Sequence, residues 1–198
     1  EPSYWNWVLA KVVPEVLGAN ITFAVRLRFV LLRDLGSALS PTNAFNFIQG
    51  LETLPIRFKK HQENTEKVAD YLTSKNNVNR VIHPKYQHDF YKKRVEKYMK
   101  DGFGPLVGFE LEGGIEAGKK FIDNLELIYH VANIGDARTL AIHPASTTHS
   151  QLSSEDQLRA GVTPGYIRLS VGIEHIEDII NDIDQAINKL ENKVKNVA

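Results

Sequence analysis

Cysteine is absent from the 198 residues, which excludes a disulfide framework, a thiolate zinc site, an iron–sulfur cluster and a cysteine nucleophile. Net charge is absent too. The 24 Lys and Arg balance 24 Asp and Glu, so neither a nucleic-acid groove nor a polybasic membrane tether is expected as the main purpose. Apolar runs are short: Phe29 to Leu32 is fenced by Arg28 and Arg33, far below the ~18 residues of a spanning helix. A soluble, cytoplasmic protein with no membrane or nucleic-acid partner is expected. Methionine occurs once, as Met99, and the chain opens Glu1-Pro2-Ser3-Tyr4-Trp5 without an initiator or the basic and apolar regions of a signal peptide. We read it as a piece of a longer protein. No internal repeat or low-complexity stretch occurs, so solenoids and tandem arrays drop out. What is there is a hydrophobic content of 42%, enough to build a core and to exclude general disorder.

The apolar spacing divides the chain into elements. Val25, Phe29 and Leu32 fall at i, i+4 and i+7 with Gly36 just after, which predicts an amphipathic helix over Val25 to Leu35 with a glycine stop. Ser40-Pro41 restarts a helix through a capping hydroxyl and a first-turn proline. Its stripe of Phe45, Ile48, Leu51 and Leu54 should end or kink at Pro55, before a second helix from Ile56 to about Thr73. Short strands then alternate with helices. Asn79 to His83, Leu106 to Leu111, Tyr129 to Asn133 and Tyr166 to Val171 read as strands, and Asp89 to Lys100 and Ile115 to Leu125 as helices. A last helix puts Ile176, Ile179, Ile180, Ile183, Ile187 and Leu190 on one stripe, with Glu177, Asp178, Asp182, Asp184 and Lys189 opposite. This alternation predicts an α/β or α+β domain with a sheet covered by helices.

Most catalytic templates fail. Gly102, Gly104 and Gly108 lack dinucleotide spacing and lead into a strand instead of opening a helix, and there is no Walker lysine. His143 and His149 flank Pro144 at a separation that fits no zinc motif, so no metal site is expected. Lys75 follows Thr73-Ser74, a setting open to a Schiff-base lysine, but it stands at a helix end where a solvated cation meeting the dipole is the favoured reading. Two stretches remain. The first joins Asn133-Ile134-Gly135-Asp136 to the hydroxyl-rich run from His143 to Ser150, either a turn bonded to its own backbone or a binding loop. The second is Tyr166-Ile167-Arg168-Leu169-Ser170-Val171, in which a period of two sends Ile167, Leu169 and Val171 to the core and Arg168 to the other face with Tyr166 and Ser170. Arg168 there serves either a structural ion pair or a bidentate grip on a carboxylate.

Six motifs in order carry a resemblance: Leu32-Arg33-Asp34-Leu35-Gly36, Leu39-Ser40-Pro41, Gln49-Gly50-Leu51-Glu52-Thr53-Leu54, Asn133-Ile134-Gly135-Asp136, His143 to Ser150, and Arg168-Leu169-Ser170-Val171-Gly172-Ile173-Glu174. Together they resemble the pyridoxal-phosphate (PLP) enzymes of cysteine and methionine metabolism over nearly the whole chain. Asn133-Ile134-Gly135 and Thr147 resemble the sulfhydrylase branch, where cystathionine γ-synthases and lyases typically have Ser-Leu-Gly and methionine. Pro105 departs from the family's usual alanine.

The resemblance implies the type I PLP-dependent transferase fold, similar to aspartate aminotransferase, with this chain as its C-terminal part. Residues 1–54 would be the tail of the large PLP-binding domain and the connecting helix, and 55–198 the small α/β domain. The implied reaction is γ-replacement, in which acetate leaves O-acetyl-L-homoserine and sulfide or a thiol takes its place. PLP and its lysine would be held by the absent N-terminal half, so that no catalytic or cofactor-binding residue is expected in this chain, which alone would be inactive. Of the family's site, the resemblance carries the substrate-carboxylate arginine onto Arg168 and, more weakly, the segment beside it onto Asn133. It also implies that Ser146, Thr147, Thr148 and His149 form a loop near that site, and that the parent is a homotetramer. A free-standing amino-acid-binding regulatory module is the rival reading; it would keep Arg168 but need no cofactor.

Overall fold

The computed structural model describes residues 11, 13–17, 21–86 and 89–191, so the opening from Glu1 to Trp5 lies outside the described residues. The chain divides into two compact units, Glu1–Glu52 and Thr53–Ala198. The first contains α1 (Val13–Leu17), α2 (Thr22–Arg26), a π-helical stretch (Leu27–Leu32), α3 (Arg33–Leu35) and α4 (Pro41–Glu52). The helix expected over Val25 to Leu35 thus starts earlier and widens in its middle. It ends as expected, because Gly36 takes the left-handed conformation at φ 68° that glycine adopts without steric cost. At the next start the Ser40 hydroxyl accepts the Asn43 N–H at 3.2 Å, and Pro41 opens α4.

The second unit begins with α5 (Leu54–Thr73), and the break before it falls at Thr53 instead of Pro55. A proline in the first turn removes only an N–H that has no helical partner there, so Pro55 starts a helix where it was expected to end one. There follow β1 (Val78–Ile82), α6 (Asp89–Tyr98), β2 (Leu106–Leu111), α7 (Gly114–Asn124), β3 (Tyr129–His130), β4 (Leu140–Ile142), α8 (Ser154–Arg159), β5 (Tyr166–Ser170) and α9 (Ile176–Glu191). The sheet order is β1-β2-β5-β4-β3. All neighbours run antiparallel except β3 with β4.

One face of the sheet carries the core. Val107, Phe109, Leu111, Ile167, Leu169 and Val171 alternate inward on β2 and at β5, and meet Val68 and Leu72 of α5, Phe121 of α7 and Ile179, Ile183 and Ile187 of α9. Phe109 and Phe121 touch edge to face with centroids 5.4 Å apart. Each such side chain contributes roughly 1.5 to 3 kcal/mol relative to exposure, which is why the apolar stripe of α9 fixes that helix on the sheet.

Four expectations need correction. β4 was not expected, because three buried residues are too few to show a period. α8 was not expected either, although Ser153 caps it by accepting the Asp156 N–H at 3.2 Å. Asp182 is not on a solvated face: it is 5% exposed, and its carboxylate accepts the backbone N–H groups of Glu126, Leu127 and Ile128 at 2.9, 3.0 and 2.9 Å. Lys75 is not simply solvated, since its Nζ lies 2.6 Å from Asp184 and 4.6 Å from the centre of the Tyr71 ring. Among the described residues no helix is long and apolar enough to cross a membrane.

Candidate carboxylate-binding site

Arg168 sits mid-strand on β5, paired across the sheet with Gly108 of β2 and Ile142 of β4. Its neighbours Ile167 and Leu169 are fully buried on the core side, so the strand's alternation delivers the guanidinium to the opposite face. Tyr166 shares that face. Burial pushes the Tyr166 hydroxyl above its usual range, and the positive charges of Arg168 and Arg80 oppose the shift. Arg80 in turn faces Glu110 at 3.7 Å.

The Arg168 guanidinium binds backbone. Nη2 donates to the Ala132 carbonyl at 2.7 Å and to the Asn133 carbonyl at 3.4 Å. Among the described residues no carboxylate pairs with it, so of the two readings left open by the strand pattern the structural ion pair is not what holds this side chain. Nε is buried and has no hydrogen-bond partner. A buried donor left unpaired is costly, and a guanidinium with unused donors presents the fork that carboxylates accept.

Asn133 is brought to Arg168 through its backbone carbonyl, not its side chain. The strand expected over Tyr129 to Asn133 stops at His130, and the chain then turns so that the carbonyls at 132 and 133 meet the arginine. Beyond the turn, Gly135 N–H donates to the Ser170 hydroxyl at 3.0 Å. Thr139 donates to the Glu174 carboxylate through its backbone N–H at 2.5 Å and its hydroxyl at 2.8 Å. Gly172 leaves no room for a side chain in this junction, since a Cβ there would lie 2.3 Å from Glu174 Oε2 and 2.4 Å from the Ala137 carbonyl. Ser170, Thr139 and Glu174 were missed as a group. Only the placement of Ser170 on the face of Arg168 was legible.

The hydroxyl-rich run folds mainly on itself. Ser146 Oγ lies 2.7 Å from His143 Nδ1, Thr147 Oγ1 donates to the His143 carbonyl at 2.8 Å, and Thr148 Oγ1 lies 2.9 Å from His149 Nδ1. Gln157 Nε2 ties the loop to α8 by donating to the carbonyls of Ala145 and His149 at 3.2 and 2.8 Å. None of these bonds reaches Arg168, so the turn-like reading of this run describes its hydrogen bonding.

Among the described residues no group of three or more His, Asp or Glu could hold a metal ion. Lys75 and Lys85 are held above the usual lysine range by hydrogen bonds to Asp184 and Asp70, respectively, which disfavours at Lys75 the neutral amine that a Schiff-base role needs.

Together the mixed five-stranded sheet and the helices packed on its core face define an α/β domain, with Arg168 on the opposite face of β5. A family profile described as Cys/Met metabolism PLP-dependent enzyme matches residues 11–188, and the chain belongs to that family. It is 50% identical over 194 residues to an O-acetyl-L-homoserine sulfhydrylase of Leptospira meyeri, covering 96% of this chain and 44% of the relative. It is 48% identical over 187 residues to O-acetyl-L-homoserine sulfhydrylase 1 of Thermus thermophilus, covering 94% and 43%. A solved Campylobacter jejuni structure, described as an O-acetylhomoserine (thiol)-lyase with N'-pyridoxyl-lysine-5'-monophosphate, matches with a TM-score of 0.78 and 43% identity over 85% of this chain and 40% of that one. The fold is therefore that of the type I PLP enzymes. The chain spans less than half the length of these relatives.

Proposed function

We propose that this chain is the C-terminal part of a PLP-dependent O-acetylhomoserine sulfhydrylase, which replaces the γ-acetate of O-acetyl-L-homoserine with sulfide or a thiol. The observation that carries the reading is Arg168, an arginine on a rigid strand with a buried, unpartnered Nε and, among the described residues, no paired carboxylate. Its role is to bind the substrate α-carboxylate. PLP is an electron sink for bonds set perpendicular to its ring, so the protein must fix the amino acid's orientation, and a two-pronged grip on the carboxylate does so. Asn133 shapes this grip through its carbonyl, and Ser146, Thr147, Thr148 and His149 form a wall of the same region. Residues 1–54 are the end of the PLP-binding domain with the connecting helix, and 55–198 the small domain. The lysine and the rest of the cofactor site belong to the upstream half, so this chain alone is inactive; the full-length protein is a cytoplasmic homotetramer. The similarity to two sulfhydrylases at 50% and 48% identity supports this reading over the γ-synthase and γ-lyase alternatives.

The test is product analysis of the full-length protein supplied with PLP, O-acetyl-L-homoserine and sulfide. Homocysteine and acetate in equal amounts are expected. Release of 2-oxobutanoate in place of homocysteine would assign it to the lyases, and no turnover would overturn the proposal.

A further inference from the structure

Ser170 is buried at 1% exposure, two residues along β5 from Arg168 and on the same face. Its hydroxyl accepts the Gly135 N–H at 3.0 Å. Arg168 grips the other end of the same turn, donating to the Ala132 and Asn133 carbonyls at 2.7 and 3.4 Å. The exit of this turn is secured separately. Thr139 donates twice to Glu174, at 2.5 and 2.8 Å, and its hydroxyl accepts the Gly172 N–H at 2.9 Å. Ile173 N–H adds a bond to the Ala137 carbonyl at 2.9 Å.

These bonds have a direction of dependence. An arginine side chain is long and flexible, and two carbonyls orient its fork only if the carbonyls themselves are fixed. The segment that bears them carries an exposed Ile134 and is anchored by Ser170 at Gly135 and by Glu174 at Thr139. Nη2 is consumed by the turn, while Nε stays unpartnered. The turn therefore sets the angle at which the remaining donors face a ligand.

We propose that Ser170 is a positioning residue for the substrate carboxylate: by fixing Gly135 it locks the carbonyls of Ala132 and Asn133, which hold the Arg168 fork in its binding orientation. Glu174 supports the same turn through Thr139. This rests on Arg168 being the carboxylate anchor.

The experiment uses the full-length enzyme with Ser170→Ala, Ser170→Thr, Glu174→Gln and Arg168→Lys, read as KM and kcat separately and as the dissociation constant of a non-reacting α-amino acid by calorimetry. Loss of one hydrogen bond predicts that Ser170→Ala raises KM and the dissociation constant in parallel, by roughly 3- to 20-fold, with kcat within about twofold. Ser170→Thr keeps the hydroxyl and should restore binding, Glu174→Gln should weaken it in the same direction, and Ser170→Ala should add little in the Arg168→Lys background, because the two act as one unit. A normal KM for Arg168→Lys would overturn the anchor reading itself. A raised KM for Arg168→Lys beside unchanged KM values for Ser170→Ala and Glu174→Gln would leave the anchor standing and overturn the positioning role.

Discussion

At the scale of single residues, His143 has both ring nitrogens engaged. Nε2 lies 2.8 Å from the Pro164 carbonyl, to which it donates, and Nδ1 lies 2.7 Å from the Ser146 hydroxyl. In the neutral ring that burial favours, Nδ1 is the acceptor of that second bond. Burial holds the His143 pKa below its usual range, with Lys119 and His130 pushing the same way and the Pro164 carbonyl opposing. The unfolded chain therefore takes up this proton first as pH falls below about 6.5, and stability drops between there and the lower folded value. Denaturant titrations at pH 7 and pH 5 should show that loss in the parent chain, and His143→Gln should flatten part of the slope. Only part, because burial also lowers the pKa of His83. An identical slope in the variant would contradict the neutral assignment. Residue types and spacing singled out the 133–136 and 143–150 stretches and the face of Arg168, while Asn133 and residues 146–149 were marked as site residues by the family resemblance. The sequence could not mark the pairing of Thr139 with Glu174 or of Gly135 with Ser170, since partners 35 positions apart meet only after the sheet has formed.

Among the elements, α5 and α9 are tied at the surface by a small polar cluster. Asp184 of α9 accepts from the Tyr71 hydroxyl at 2.5 Å, from Lys75 Nζ at 2.6 Å and from Asn188 at 3.0 Å. The hydrogen bond from Lys75 holds the Asp184 carboxyl below the usual carboxylate range, and burial first, then Asp184, pushes the Tyr71 hydroxyl up to about 12. The Asp184 side chain is 37% exposed, so solvent screening limits the effect, and Asp184→Asn should cost about 0.5 to 1 kcal/mol at neutral pH. A group with a depressed folded pKa stabilises above its unfolded value of about 4 and loses that contribution as pH falls through the folded one. The denaturation difference between parent and Asp184→Asn should thus shrink progressively as pH falls below about 4. A difference that stayed constant would show that the charge is irrelevant. β2 and α9 were legible as elements because their apolar patterns are long enough to carry a period, whereas the three residues of β4 were not. Pro55 misled because proline disfavours a helix interior and favours its first turn, and sequence alone could not say on which side of Thr53 the break falls.

On the scale of the molecule, the two units differ in what they bury. The second has a continuous core across β2, β5, α5, α7 and α9. The described helices α2 to α4 of the first contain no buried residue, and Phe23, Phe45 and Phe47 are 80%, 60% and 63% exposed. Apolar exposure on this scale marks an interaction surface, and it includes Phe29 and Leu32 and Phe45, Ile48 and Leu51 of the two stripes legible in the sequence. The proposed carboxylate grip of the full-length enzyme through Arg168 is tested most directly by kcat/KM for O-acetyl-L-homoserine in Arg168→Ala beside the parent, with PLP content determined for both. Removing one partner of a desolvated, hydrogen-bonded charge pair costs about 3 to 5 kcal/mol, which predicts a loss on the order of 10²- to 10³-fold or more with the cofactor still bound. A variant that kept kcat/KM within about threefold of the parent would contradict the claim.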